Sequence, residues 1–155
     1  MDFIRKMAAI EQEIAAEKGN FVLFALIKRA EGIGLWDIVI SASWFGTDDK
    51  KTLDYMTRKF SEKLTPEDMM LISQIVPFPP TDPLVKEILN IVHQRVQQPV
   101  MHGHVELSAW TLSSMPISLA YIMTATPPQN GEAASVTFSP PMPPTGETGA
   151  TRVPG

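Results

Sequence analysis

The sequence predicts an α+β fold: one small domain in which about five strands pack against three main helices. Two observations predict this class: three stretches repeat apolar residues at helical spacing, and the runs between them are uniformly apolar or alternate with a period of two. The predicted order is helix, strand, strand, helix, short helix, strand, helix, strand, strand. We expect residues 1–125 to form this domain, with a mixed or mainly antiparallel sheet, and residues 126–155 to form a disordered, proline-rich tail.

The first helix is predicted at residues 3–18. Its apolar face repeats at helical spacing, through Phe3, Met7, Ile10 and Ile14. The charged side chains of this stretch, Glu11 among them, are expected to face water. Gly19 ends the helix, because glycine readily adopts the left-handed conformation that closes a helix.

A hairpin at the start of the sheet organises the predicted domain. Residues 21–27 are apolar at every position, which predicts a strand covered on both faces. Residues 36–45 alternate instead, which predicts one buried face and one more polar face that carries Asp37. We expect Asp37 to face solvent at the mouth of the hairpin. If that face is covered, the carboxylate needs a partner such as Arg29 or Lys28 on the neighbouring strand.

The middle of the chain is predicted to be mainly helical. Thr47 is expected to cap a second helix, and Thr65, followed by proline and acidic residues, begins a short third one. Residues 72–76 read as a strand whose pairing, parallel or antiparallel, stays open. Asp82 then opens the last helix, which carries a regular apolar stripe.

Two further strands complete the predicted sheet. Residues 105–109 alternate, with Leu107 and Ala109 on the inner side, and residues 117–124 form the last strand after a turn at residues 113–116. Residues 109–126 are also the one candidate membrane span. They are interrupted by serines and a proline and are marginal in length, so a buried strand pair fits them better.

Composition excludes several classes of function. The net charge is −4 and the basic residues are scattered, which argues against sequence-independent binding of nucleic acid. The chain has no cysteine, which removes disulfides, thiolate nucleophiles and cysteine-ligated metals. No signal-peptide pattern is present, so we expect a cytoplasmic protein without a membrane segment. We also expect no cofactor.

One short motif suggests a metal. His102 and His104 lie two residues apart, a spacing at which two imidazoles on a strand can ligate one ion, and His93 is a conceivable third ligand. No acidic residue lies within the motif, and Gly103 is typical of a surface loop. We therefore predict incidental histidines and no metal site.

The predicted function is non-catalytic binding of a protein partner or of a second copy of the chain. No nucleophile elbow, phosphate loop or other catalytic motif is present, which makes an enzyme the less favoured class. The candidate partner-binding residues are aromatic and acidic positions on predicted half-exposed strands and a P-x-x-P stretch in the tail: Trp36, Asp37, Trp44, Trp110, Pro140, Pro141, Pro143 and Pro144. The alternative is a small-molecule sensor or an enzyme with a pocket between the sheet and its helices. A closed apolar pocket with convergent polar groups such as Asp37 or His104 would favour that alternative.

Overall fold

The computed structural model describes residues 2–126 and confirms the α+β fold and the predicted order of elements. The four prolines proposed for partner binding in the tail lie outside the described residues. The elements are α1 (Asp2–Lys18), β1 (Leu23–Arg29), β2 (Trp36–Ser41), α2 (Asp49–Lys63), α3 (Pro66–Met69), β3 (Ile72–Phe78), α4 (Pro83–Val96), β4 (Val105–Leu112) and β5 (Met115–Ala125). The packed chain extends one residue past the predicted boundary, because Thr126 is buried and its N–H donates to the Val22 carbonyl over 2.9 Å.

The five strands form one sheet in the order β3-β2-β1-β5-β4. The uniformly apolar strand β1 lies at its centre, where both faces and both edges are covered. The strand whose pairing the sequence left open, β3, pairs with β2 in parallel, and the other three pairs are antiparallel. β3 runs two residues longer than predicted and includes Pro77, which an edge strand tolerates because one side of it makes no ladder hydrogen bonds.

Each face of the sheet has its own apolar core. On one face, Phe24, Ile38 and Ile40 pack with α1 and α2. On the other face, Ala25 and Val39 pack in a second core to which α4 contributes Val85, Ile88 and Val92. β2 is therefore buried at every position, and the prediction that only one of its faces is buried is wrong, although the second face is the more polar one. Its alternation is real, but the second face contributes to a core rather than facing water.

Local capping follows the sequence with one shift. Asp48 rather than Thr47 caps α2, and its carboxylate accepts from the backbone N–H groups of Lys50 and Lys51. The short helix α3 has the predicted Thr65 cap, closed as a capping box by Asp68. Asp82 caps α4 as predicted. An aspartate at the cap and an acidic first turn both complement the positive end of the helix dipole.

The β4–β5 hairpin is tighter than predicted. Its turn has only two residues, Ser113 and Ser114, and both have positive φ (48° and 70°), as a type I′ turn requires. Ala109 has φ 56° and is exposed, so the inner position predicted for it is wrong and Trp110 points into the core instead. The candidate membrane span is this hairpin. Within residues 2–126, no helix has the length and apolar character needed to cross a membrane.

Candidate functional site

The three tryptophans do not form an exposed aromatic face. Trp36 is 5% exposed and Trp110 is 6% exposed, because helices cover both faces of the sheet. Trp44 is half-buried; its Nε1 donates to the Gly19 carbonyl over 2.8 Å and its ring packs edge-on against Phe21. Burial removes the basis on which Trp36 and Trp110 were proposed for partner binding. Trp44 has a structural role that joins the end of α1 to the end of β2.

The two histidines of the proposed metal motif point to different partners. The Nδ1 atom of His102 lies 3.0 Å from Oε1 of Glu11, whereas the ring of His104 packs against Tyr121. No group of three potential metal ligands occurs within residues 2–126. The His102-Gly103-His104 motif accordingly carries no metal-site proposal.

Glu11 is the unexpected member of this region. It is 0% exposed, although the sequence placed it on the outer side of α1. Its second oxygen, Oε2, accepts from the hydroxyl of Thr124 over 2.7 Å. The signal was present in the sequence, because position 11 follows Met7 by four residues and therefore lies on the apolar face. The Glu11–His102–Thr124 network, as we call these three side chains, fixes α1 to β5 and to the loop that precedes β4.

Asp37 lies on the α4 side of the sheet and is 8% exposed. The expectation that it faces solvent is therefore wrong, while the conditional prediction of Arg29 as its partner is confirmed: Arg29 Nε lies 3.1 Å from Oδ2. The other oxygen, Oδ1, is buried and has no hydrogen-bond partner among residues 2–126. Two other buried polar atoms share this condition, Ser41 Oγ and Trp110 Nε1, but only Asp37 is an acidic residue.

Asp37 and Arg29 line a pocket of about 150 Å³, to which all five strands and α4 contribute. We call it the Asp37 pocket. Gln74 is its third polar lining residue. The rest of the wall is apolar and includes Val39, Val76, Phe78, Leu84, Leu112 and Ile117. The sequence identified Asp37 as unusual, but it gave no sign that the ends of five strands would surround it.

Exposed apolar side chains collect at the same end of the sheet. β1 ends there, β2 and β3 begin there, and the β4–β5 turn lies there, because β2 and β3 are parallel and the other pairs antiparallel. We call this the hairpin end. Of the five large hydrophobic side chains exposed within residues 2–126, it carries four: Ile33, Met70, Leu71 and Met115.

A second cluster of charges has a structural explanation. Lys59 of α2 is buried and contacts Glu13 and Glu17 of α1 at 2.9 and 3.4 Å. The hydroxyl of Tyr55 donates to Glu17; burial, together with this bond, raises the pKa of Tyr55 to about 12. The hydrogen bond from Tyr55 lowers the pKa of Glu17, and that from Lys59 lowers the pKa of Glu13. These contacts hold α1 against α2, and each of the four side chains is paired with another member of the cluster.

The chain matches no known protein family, and comparisons with curated proteins and with solved structures found no match. Its function is therefore argued from the site itself.

Proposed function

We propose that this domain binds a small molecule in the Asp37 pocket, without catalysis. The observation that carries the proposal is Asp37, which lines a largely apolar pocket and whose buried Oδ1 is an acceptor without a partner among residues 2–126. A largely apolar pocket with a few polar lining groups supports the small-molecule alternative over the partner-binding prediction.

The buried Asp37 carboxylate lowers the stability of the fold. A buried acceptor without a donor costs about 1–3 kcal/mol, and more when it is charged. An apolar residue at this position would pack against the surrounding side chains without that penalty. A ligand that donates a hydrogen bond to this oxygen removes the free-energy penalty on binding. The buried carboxylate is therefore consistent with a binding site.

The ionisable groups of the pocket favour binding over catalysis. Arg29 and Asp37 are the ionisable side chains among its lining residues, and they are paired with each other. Within this lining, neither a histidine nor a hydroxyl nucleophile is present. General acid–base chemistry needs a group that is free to exchange a proton with the substrate. The pocket offers recognition instead: a largely apolar cleft that carries the Asp37 carboxylate, the Arg29 guanidinium and the Gln74 amide.

A blocked-pocket variant tests the proposal. Val76 lines the pocket, whereas its neighbour Ile75 packs against the core on the opposite face of β3. We expect Val76→Phe to fill the pocket and Ile75→Phe to leave it open. A fragment library is screened against the full chain by amide-resolved NMR. Fragments should shift the amides of Gln74 and Leu112 in the wild type and in Ile75→Phe, but not in Val76→Phe. No saturable binding at millimolar concentration, or binding that Val76→Phe leaves intact, would contradict the proposal.

A second candidate is self-association along the free edge of β3. Ahead of Pro77, which cannot donate a hydrogen bond to a neighbouring strand, β3 contains no charged residue, and it begins beside the exposed Met70 and Leu71. The opposite edge strand, β4, carries Glu106 and the positive φ of Ala109, two features that discourage strand pairing between molecules. A second copy of the chain is the natural occupant, because strand pairing needs only an equivalent free edge.

Sedimentation of the full chain tests this second candidate. Ser73 on β3 and Ser108 on β4 are both exposed, so a lysine at either position is tolerated by the fold. We expect a concentration-dependent dimer that Ser73→Lys abolishes and Ser108→Lys preserves. A monomer at every concentration, or equal effects of the two lysines, would remove this candidate.

A further inference from the structure

We infer that the ligand of the Asp37 pocket is a single neutral ring with one N–H or O–H donor, of the phenol or pyrrole type, that donates to Asp37 Oδ1. This inference rests on the proposed binding function and names its ligand class.

The size of the pocket sets the size of the ligand. A volume of about 150 Å³ is well below the roughly 300–1,000 Å³ of sites for drug-sized ligands. An apolar cavity of about this volume holds one benzene-sized molecule. The side chains of Val39, Val76, Phe78 and Leu84 provide apolar contact for such a ring.

The hydrogen-bonding chemistry of Asp37 sets the polar group. An ionised carboxylate only accepts hydrogen bonds, so the group that faces Oδ1 must be a donor. A ligand carbonyl or ether oxygen next to Oδ1 would place two acceptors together, and neither would receive a hydrogen bond. A bond to an ionised acceptor is stronger than one between neutral groups, which favours an acidic donor such as a phenol.

The charge balance of the pocket sets the charge of the ligand. Arg29 and Asp37 form an ion pair, so their charges already cancel. A carboxylate ligand would leave a net negative charge in an apolar pocket, and an ammonium ligand a net positive one. Both pay a desolvation penalty that a neutral ring avoids.

The arrangement also implies a movement on binding. Oδ1 is covered in the structure, so the Asp37 carboxyl group must rotate before a ligand reaches it. The Arg29 side chain is 44% exposed and makes its ion pair through Nε. This ion pair must persist during the rotation, because a buried carboxylate that loses its partner destabilises the fold strongly.

A matched series of four probes tests the inference: toluene, p-cresol, 4-methylbenzoate and 4-methylbenzylamine, titrated into the full chain by NMR. We expect p-cresol to bind about 10- to 100-fold more tightly than toluene, the range that one bond to a charged acceptor gives. The acid and the amine should bind no more tightly than toluene. In Asp37→Leu, the affinity for p-cresol should fall to that for toluene.

The outcomes separate the ligand class from the pocket. If toluene and p-cresol bind equally, or if the acid or the amine binds best, the inferred class is overturned while the pocket remains a binding site. If no probe of the series and no fragment binds at this pocket, the proposed function itself falls. The ranking in the wild-type chain decides the matter even if Asp37→Leu fails to fold.

Discussion

Replacement of Glu11 should show how much of the stability rests on the Glu11–His102–Thr124 network. Glu11→Ala removes the carboxylate that accepts from Thr124 and contacts His102. The hydroxyl of Thr124 is fully buried and loses its acceptor, at about 1–3 kcal/mol. The side chain of His102 is 35% exposed, so water replaces most of its lost bond. The lost methylene adds about 0.8 kcal/mol, and relief of the carboxylate's own burial offsets part of the total.

The net expectation for Glu11→Ala is a loss of about 2–3 kcal/mol in the free energy of unfolding. Glu11→Gln keeps the shape and one acceptor for Thr124, and it should cost about 1 kcal/mol. Thr124→Val leaves a buried carboxylate oxygen without a donor, and it should cost more than Glu11→Gln. Urea unfolding of the full chain, followed by circular dichroism, measures all three.

The matched control is Arg5→Ala, at an exposed position of the same helix α1, which should change stability by less than about 0.5 kcal/mol. A loss below about 0.5 kcal/mol for Glu11→Ala would refute the buried network. Equal losses for Glu11→Gln and Glu11→Ala would show that the charge, and not the hydrogen bond to Thr124, is the stabilising element.

Two further predictions concern backbone strain and pH. Gly46→Ala should leave the free energy of unfolding almost unchanged, since the new methyl group has no neighbouring atom within 4 Å. Gly34→Ala should lower the free energy of unfolding by about 1–2 kcal/mol, because Gly34 has a positive φ of 87°. Gly19→Ala should cost more than Gly34→Ala, because φ is 119° and the new Cβ would lie 3.1 Å from Trp44 Cδ1. Equal losses of stability at Gly19 and Gly34 would show that the Trp44 contact is unimportant. Loss of the hydrogen bond between Tyr55 and Glu17 should lower the free energy of unfolding at both ends of the pH range. The raised pKa of Tyr55 gives stability that is complete below pH 10.0 and is lost as the pH rises through about 12. The lowered pKa of Glu17 gives stability that is present above its unfolded value and is lost as the pH falls. Tyr55→Phe should flatten both limbs of the free energy of unfolding plotted against pH, and an unchanged profile would exclude the pair as their cause.

The fold was predictable where one local pattern decides the outcome. The uniform apolarity of residues 21–27 placed β1 at the centre of the sheet, because only a strand covered on both faces tolerates it. The caps at Thr65 and Asp82 follow from residues adjacent in the chain. The sequence did not decide how β3 pairs, because parallel pairing depends on the path of α2 and α3 between the strands.

The candidate site was predictable only in part. The sequence marked Asp37 as unusual and named Arg29 as its partner if the face were covered. Packing between distant segments decides whether α4 covers that face. The residues of β2 alone therefore cannot predict that Asp37 is buried. The same reason explains Trp36, which lies on the buried side of β2. For Trp110 the alternation gave the wrong direction, because the positive φ of Ala109 interrupts it.

A crystal structure of the full chain soaked with p-cresol would show whether a ring with one hydroxyl donor binds at Asp37. One ring should lie in the Asp37 pocket, in contact with Val76 and Leu84, with its hydroxyl oxygen about 2.5–3.0 Å from Asp37 Oδ1. The Asp37 carboxyl group should be rotated from its position in the ligand-free molecule, with its ion pair to Arg29 kept. A ring bound only elsewhere, or one in the pocket with its hydroxyl turned away from Asp37, would contradict the account.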